Sequence, residues 1–359
     1  MNREEAVKKA RQRNAILLAL AALFIVGSVF IPFASGKVLL FVAVAMVGGM
    51  LFAPGDTTRY VCKRILLAML TVFIISAITF FAMNAIPGGP FSTEKAKDPA
   101  VEEMLRQRFH LDEPLTRQFT LYLSNLMQGD LGVSMKTGRD IAQTIRESFG
   151  ISARIGLIAA LVAIVGGLIL GSAAALGRNG WPDRAIIFLT TLFVSVPSFV
   201  LATILLLVFC LQLGWFGVWS VEKQSIVLPV LSLAMYPMSY ITRLTKSSML
   251  DVLGQDYIRT AKAKGVSQVL VVAKHALRNA LIPVITYVGP MVAGILTGSM
   301  VIESVFTVGG LGTQFVKSIN NQDYPMIMGT TIFLAVLMVL ATLISDLVYK
   351  LVDPRITLD

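Results

Sequence analysis

The chain has 359 residues, 55% of them hydrophobic and only 14% charged, with a formal net charge of +10. That balance excludes an ordinary soluble domain, because several near-uncharged runs reach the ~20 residues that cross a bilayer as a helix. The runs do not alternate in polarity, which excludes a transmembrane β-barrel, and backbone groups in lipid must be satisfied within their own segment. The fold class is therefore an all-α polytopic membrane protein.

About eight transmembrane helices are predicted, at 15–31, 37–53, 60–82, 151–175, 186–211, 226–243, 280–303 and 326–349. Orientation follows from the basic residues. Arg3, Lys8, Lys9, Arg11, Arg13, Arg59, Lys63, Arg64, Arg178, Arg184, Lys350 and Arg355 fall on one side, together with the basic loop after the sixth span. The short loops opposite hold Lys37, Lys223 and Lys317. Both termini are thus expected in the cytoplasm. The positive charge fits inner loops facing an anionic leaflet and implies no nucleic acid as a partner. The basic start and first apolar run resemble a signal peptide, but the run is slightly long for one.

Residues 1–55 read as a transmembrane hairpin of unassigned role, ended by the Pro/Gly break in "APGDTTRY". The remainder, 56–359, reads as a six-span core with two insertions. The first, 83–150, is expected outside the membrane. It opens with "IPGGPFS", continues with "DPAVEEMLRQRF", where Asp98 and Pro99 suit the start of a helix, and then "LTRQFTLYLSNLM", with Leu115, Phe119, Tyr122, Leu123 and Leu126 at helical spacing. It is expected to form a small folded cap. The second insertion, 244–279, is expected in the cytoplasm and is longer than a turn between spans requires. Its first piece, "DYIRTAKAKG", is a short helix stopped by Gly265. Its second carries an apolar stripe of Val269, Ala273, Ala276, Leu277 and Ala280, with Lys274 and Arg278 away from it. The loop reads as two helices bent at Gly265.

The chemistry-bearing motifs are few. "VGGLGTQF" lacks the Lys and Ser/Thr of a phosphate loop, so ATP and Mg must act through a partner if the chain does powered work. No nucleophile–base or paired-carboxylate arrangement stands out, and no catalytic residue is assigned. His110 and His275 lie on opposite sides, as do Cys62 and Cys210, so neither a metal site nor a disulfide is expected. The chain itself is expected to bind no cofactor.

"RTAKAKGVSQVLVVAKHALRNALIPVIT", starting at Arg259, resembles the coupling loop of ABC-importer permeases of the oligopeptide/dipeptide/nickel family. "FAMNAIPGGPF", "LDEPLTRQFTLYLSNLMQGDLGVSM", "SVPSFVLATILL", "VIESVFTVGGLG", "NNQDYPMIMG" and "LVDPRI" resemble the same family in the same order, over 60–359. The chain looks most like the first membrane subunit of oligopeptide permeases. Gly309 departs from the pattern, which commonly has Pro before "GLG". The resemblance implies a type I importer core of six helices, preceded here by the extra hairpin. It implies a bacterial cytoplasmic membrane location and an oligopeptide substrate delivered by an extracytoplasmic binding protein. It also implies a second homologous permease and two ATPase subunits. Relatives in the same class carry dipeptides, nickel or glutathione. A secondary transporter would instead carry inverted repeats and mid-span ionisable residues, and neither is seen.

The resemblance assigns ATPase coupling to Arg259, Thr260, Ala261, Lys262, Lys264 and Gly265. Ala261 is expected to allow close approach of the ATPase, and the basic side chains either pair with acids on it or serve topology. Pro197, Glu303 and Gly310 are pathway or gate candidates. Pro197 is expected to kink its span. Glu303 is expected either to hydrogen-bond the "TVGGLG" turn or to meet peptide amines, the former favoured. Asp346 is expected to meet water or Lys350.

Overall fold

The structure, a computed structural model, describes residues 56–86, 103, 104, 107, 109–220, 225–267 and 270–352. The predicted hairpin 1–55 and the helix start at Asp98 lie outside the described residues. The helices are α1 (Asp56–Ala85), α2 (Leu115–Met127), α3 (Ile141–Leu176), α4 (Trp181–Ser195), α5 (Ser198–Leu205), α6 (Val227–Leu253), α7 (Asp256–Ala263), α8 (Leu277–Gly298), α9 (Met300–Val305), α10 (Leu311–Asn320) and α11 (Tyr324–Val352). Two compact units share the described residues, one built from those up to Glu147 with 315–350, the other from 148–314 with 351 and 352.

In the first unit, α1 and α11 supply Phe80, Met83, Tyr324, Ile327, Met328 and Ile332 to a common core. The amphipathic helix α2 packs into it through Phe119, Tyr122 and Leu126. The Phe119 ring lies 5.2 Å from Phe80 and 5.6 Å from Phe81. The segment expected to form a small folded cap thus contributes α2 to this core. A hairpin follows, turned by Gly129, Gly132 and Gly138 at positive φ and closed by the bridge between Val133 and Asp140. Asp323, at the mouth of α11, holds it: its buried carboxylate accepts from the Ser134 hydroxyl and from the Met135 N–H at 3.1 Å. Asp346 pairs with Arg64 of α1, at 3.0 Å, and the side chain of Lys350 lies outside the described residues.

In the second unit, α6 is central and packs against α8, α4 and α5. Gly167 and Gly171 let α3 approach it: a Cβ on Gly167 would meet Ile241 at 2.6 Å, and one on Gly171 would meet the Thr242 carbonyl at 2.6 Å. The buried Ser232, Ser239 and Thr242 hydroxyls of α6 donate to carbonyls one turn back, at 2.8, 2.8 and 2.7 Å. That satisfies polar groups which an apolar medium would otherwise penalise. Two polar ties fasten α4 to α6. Lys246 Nζ lies 2.5 Å from Asp183 Oδ1, and Arg243 donates to the Thr190 carbonyl at 3.0 Å.

The predicted spans map onto these elements with informative shifts. Among the described residues, Leu66–Ala85, Ile141–Leu176, Lys274–Val305 and Tyr324–Asp346 are long and apolar enough to cross a membrane. The predicted span 186–211 is broken at Pro197 by 104° between α4 and α5, a far sharper event than the kink expected. Val196 is already extended there, as a residue before proline tends to be. The predicted span 226–243 is one end of α6, which continues to Leu253 and falls short of the others in apolarity because it carries Ser, Thr, Tyr and Pro on a packed helix.

Candidate functional site: the basic loop and the Glu303 turn

The loop after α6 is built around α7. Gln255 precedes it in extended conformation, and Asp256 in the first turn suits the positive end of the helix dipole. Ile258 and Ala261 are buried, in a cluster with Met249, Val271, Ala276 and Ala280. Arg259, Thr260, Lys262 and Lys264 face outward, with Arg259 only loosely paired to Asp256 at 3.6 Å. The six predicted coupling residues thus divide. Ala261 is small because it meets the chain's own core, where it was expected to meet a partner. The basic residues form the free face.

Gly265 ends α7. Its N–H donates to the Lys262 carbonyl at 3.0 Å, and the Val266 N–H reaches back to the Ala261 carbonyl at 3.2 Å. With φ at +76° for Gly265, this is a Schellman termination, and Val266 supplies the accompanying apolar contact. No heavy atom stands within 4 Å of where a Cβ on Gly265 would be, so only backbone conformation demands glycine there. The second helix of the loop is continuous with α8 through a π-helical turn, Val271–Ala276. Of the predicted stripe, Ala276 and Ala280 are buried and Leu277 packs beside them, with Val271 joining the same cluster, while Val269 and the Ala273 side chain lie outside the described residues. Lys274 and Arg278 are exposed, as their place off the stripe implies. Asn279 donates to the Tyr257 hydroxyl at 2.8 Å, tying α8 back to α7.

Glu303 and Gly310 meet at a second turn. Glu303 is 1% exposed. One of its oxygens accepts from the Ser299 hydroxyl at 2.5 Å, the other from the N–H of Gly312 at 2.8 Å and of Thr313 at 3.4 Å. These amides open α10, where a carboxylate is favoured by both the free donors and the dipole. Ser152 adds its hydroxyl as acceptor for the Leu311 N–H at 2.8 Å. Gly310 lies so close that a Cβ would overlap Glu303 Oε2 and Ser152 Oγ. With both oxygens engaged, Glu303 bolts the "TVGGLG" turn and presents no free carboxylate to a passing amine. Pro197 stands apart from this cluster and is exposed, although α5, which it opens, packs against α9, which carries Glu303.

Three polar residues that position these elements escaped the sequence reading. Asp183 follows Pro182 at the start of a helix, and Asp323 stands two residues before Pro325, so both carried only a helix-start signal. Their partners Lys246 and Ser134 are remote in sequence. Asn279 offered no signal of its own.

Residues 167–358 match the family model described as "Binding-protein-dependent transport system inner membrane component", and residues 57–156 match the model for the N-terminal part of such components. The chain belongs to this family. Among its relatives, the dipeptide transport system permease protein DppB of Bacillus subtilis is 46% identical over 303 residues, 84% of this chain and 98% of that protein. The oligopeptide transport system permease protein OppB of Haemophilus influenzae is 42% identical over 302 residues, 83% of this chain and 99% of that protein. The glutathione transport system permease protein GsiC of Escherichia coli is 38% identical over 301 residues, covering 83% and 98%. The permease is therefore a multi-pass membrane component of a transport system and not an enzyme. Its α-helical core is that of a binding-protein-dependent importer.

Proposed function

We propose that this permease is one of two homologous membrane subunits of an ATP-driven importer in the bacterial cytoplasmic membrane. It passes oligopeptides handed over by an extracytoplasmic binding protein. The observation that carries the reading is α7: a short helix with its apolar side held by the chain, its basic side free, and its end set by a glycine termination. A chain without a nucleotide-binding motif needs such a handle if ATP hydrolysis is to move its helices. Arg259, Thr260, Lys262 and Lys264 meet the ATPase subunit, while Ala261 and Gly265 fix the angle at which they do so. ATP and Mg act on that subunit. Dipeptides or glutathione form the second reading of the substrate, favoured by the names of the relatives; nickel was the other alternative of the class.

The test is purification of the tagged permease from its native membrane, followed by reconstitution. An ATPase, a second distinct permease and a binding protein should accompany it, and labelled oligopeptide should be imported with ATP. Two copies of this chain without a second permease would overturn the heteromeric reading. Import of dipeptide or glutathione, uncompeted by longer peptides, would replace the substrate.

A further inference from the structure

Within the second unit, two helices expose stripes of different character. On α3 the exposed stripe is Leu157, Leu161, Val165 and Ile169, apolar throughout, as lipid requires. On α6 it is Leu231, Tyr236, Tyr240, Arg243 and Ser247, growing more polar along the helix. Tyr236 and Tyr240 are 49% and 45% exposed. Tyr236 falls near the middle of the predicted span 226–243, away from the interfacial levels where tyrosine usually sits in membranes. The exposed stripe of α8 starts at the apolar Ile282 but continues through Pro283, Thr286, Pro290 and Gly294, which are likewise unlike a lipid face. Tyr287 joins the two stripes: its ring stacks on Tyr240 with centroids 4.3 Å apart, and Tyr236 lies within electrostatic reach of it.

Among the described residues none of these three hydroxyls makes a hydrogen bond. Prolines on the exposed side of α8 supply matching acceptors. Pro283 and Pro290 lack the N–H that the carbonyl four residues earlier would accept. Phenolic hydroxyls and freed carbonyls left open to lipid would be costly, so such backbone and side-chain groups are tolerated where they line water. Ring faces, hydroxyl donors and carbonyl acceptors together match an extended peptide, whose main chain offers alternating C=O and N–H groups. We propose that Tyr236, Tyr240, Tyr287 and Thr286 form a wall of the translocation path that holds the peptide main chain in transit, an inference that rests on the permease reading above.

The test uses the whole importer in membrane vesicles, with Cys62 and Cys210 replaced by serine. Single cysteines at Tyr236, Thr286 and, as the lipid-facing control, Leu161 are exposed to a small charged methanethiosulfonate. The thiols of Tyr236→Cys and Thr286→Cys should react severalfold faster than that of Leu161→Cys, and transported peptide should slow them but not the control. Tyr240→Phe keeps the ring and should keep assembly, yet should raise the KM for peptide import severalfold. Thiols at 236 and 286 no faster than the control would mean dry packing against another helix and would overturn the wall, as would rates indifferent to peptide. Import by the unsubstituted importer is followed in the same vesicles. Fast labelling without any peptide import would overturn peptide as the occupant and the substrate reading with it, whereas normal import with slow labelling would overturn the wall alone.

Discussion

Gly265 and Gly310 both turn the chain between helices, yet a side chain would fail at each for a different reason. Gly265 has open space around it and a φ of +76°, so its constraint is backbone conformation alone. Gly310 has no such φ, but its missing Cβ leaves room for the Glu303 carboxylate and the Ser152 hydroxyl. The difference follows from what each turn serves. The loop at α7 must leave its outward face free, so its angle is set by local hydrogen bonds and by packing on the inner side only. The Glu303 turn serves the chain itself, so it is set by close packing and by a buried carboxylate with its donors supplied.

Gly310→Val overpacks the carboxylate and should cost ~3 kcal/mol or more, read as loss of folded, monodisperse permease on heating in detergent. Glu303→Ala removes the acceptor for the Gly312 and Thr313 amides and should cost about 1–3 kcal/mol in the same assay. Because it also makes room, Gly310→Ala should be milder with Glu303→Ala than in the parent chain, a coupling that independent sites would not show. Ala261→Arg forces a long charged side chain into the inner packing of α7. Membrane insertion should survive while ATPase co-purification and import fall together. Gly265→Val strains the termination by ~1–2 kcal/mol, so the melting temperature should move little while substrate-stimulated ATP hydrolysis is lost. Gly265→Asn, which tolerates positive φ, should retain most import, and equal loss in both variants would refute a conformational role. Lys317→Ala, on an exposed side chain away from both turns, should leave import and stability unchanged.

The sequence by itself determined what depends on neighbours a few residues away. Long apolar runs dictate membrane helices because lipid offers no partner to the backbone. A short basic helix ended by glycine at 265 was legible because helix termination is local hydrogen bonding. The membership of Glu303 and Gly310 in one turn was legible because the turn is nearly contiguous. Tertiary structure alone decided which face each helix turns inward. It set Ala261 against the core where a partner contact was expected, and it brought Val271 into the same cluster at the start of the π-helical turn Val271–Ala276. It made Pro197 a break of 104°, because α5 packs on its own neighbours and need not continue α4. It also chose the partners of isolated charges: Arg64 for Asp346, Lys246 for Asp183 and Ser134 for Asp323. An ion pair or hydrogen bond between residues far apart in sequence leaves no periodic trace, since its spacing is set by the packing of whole helices.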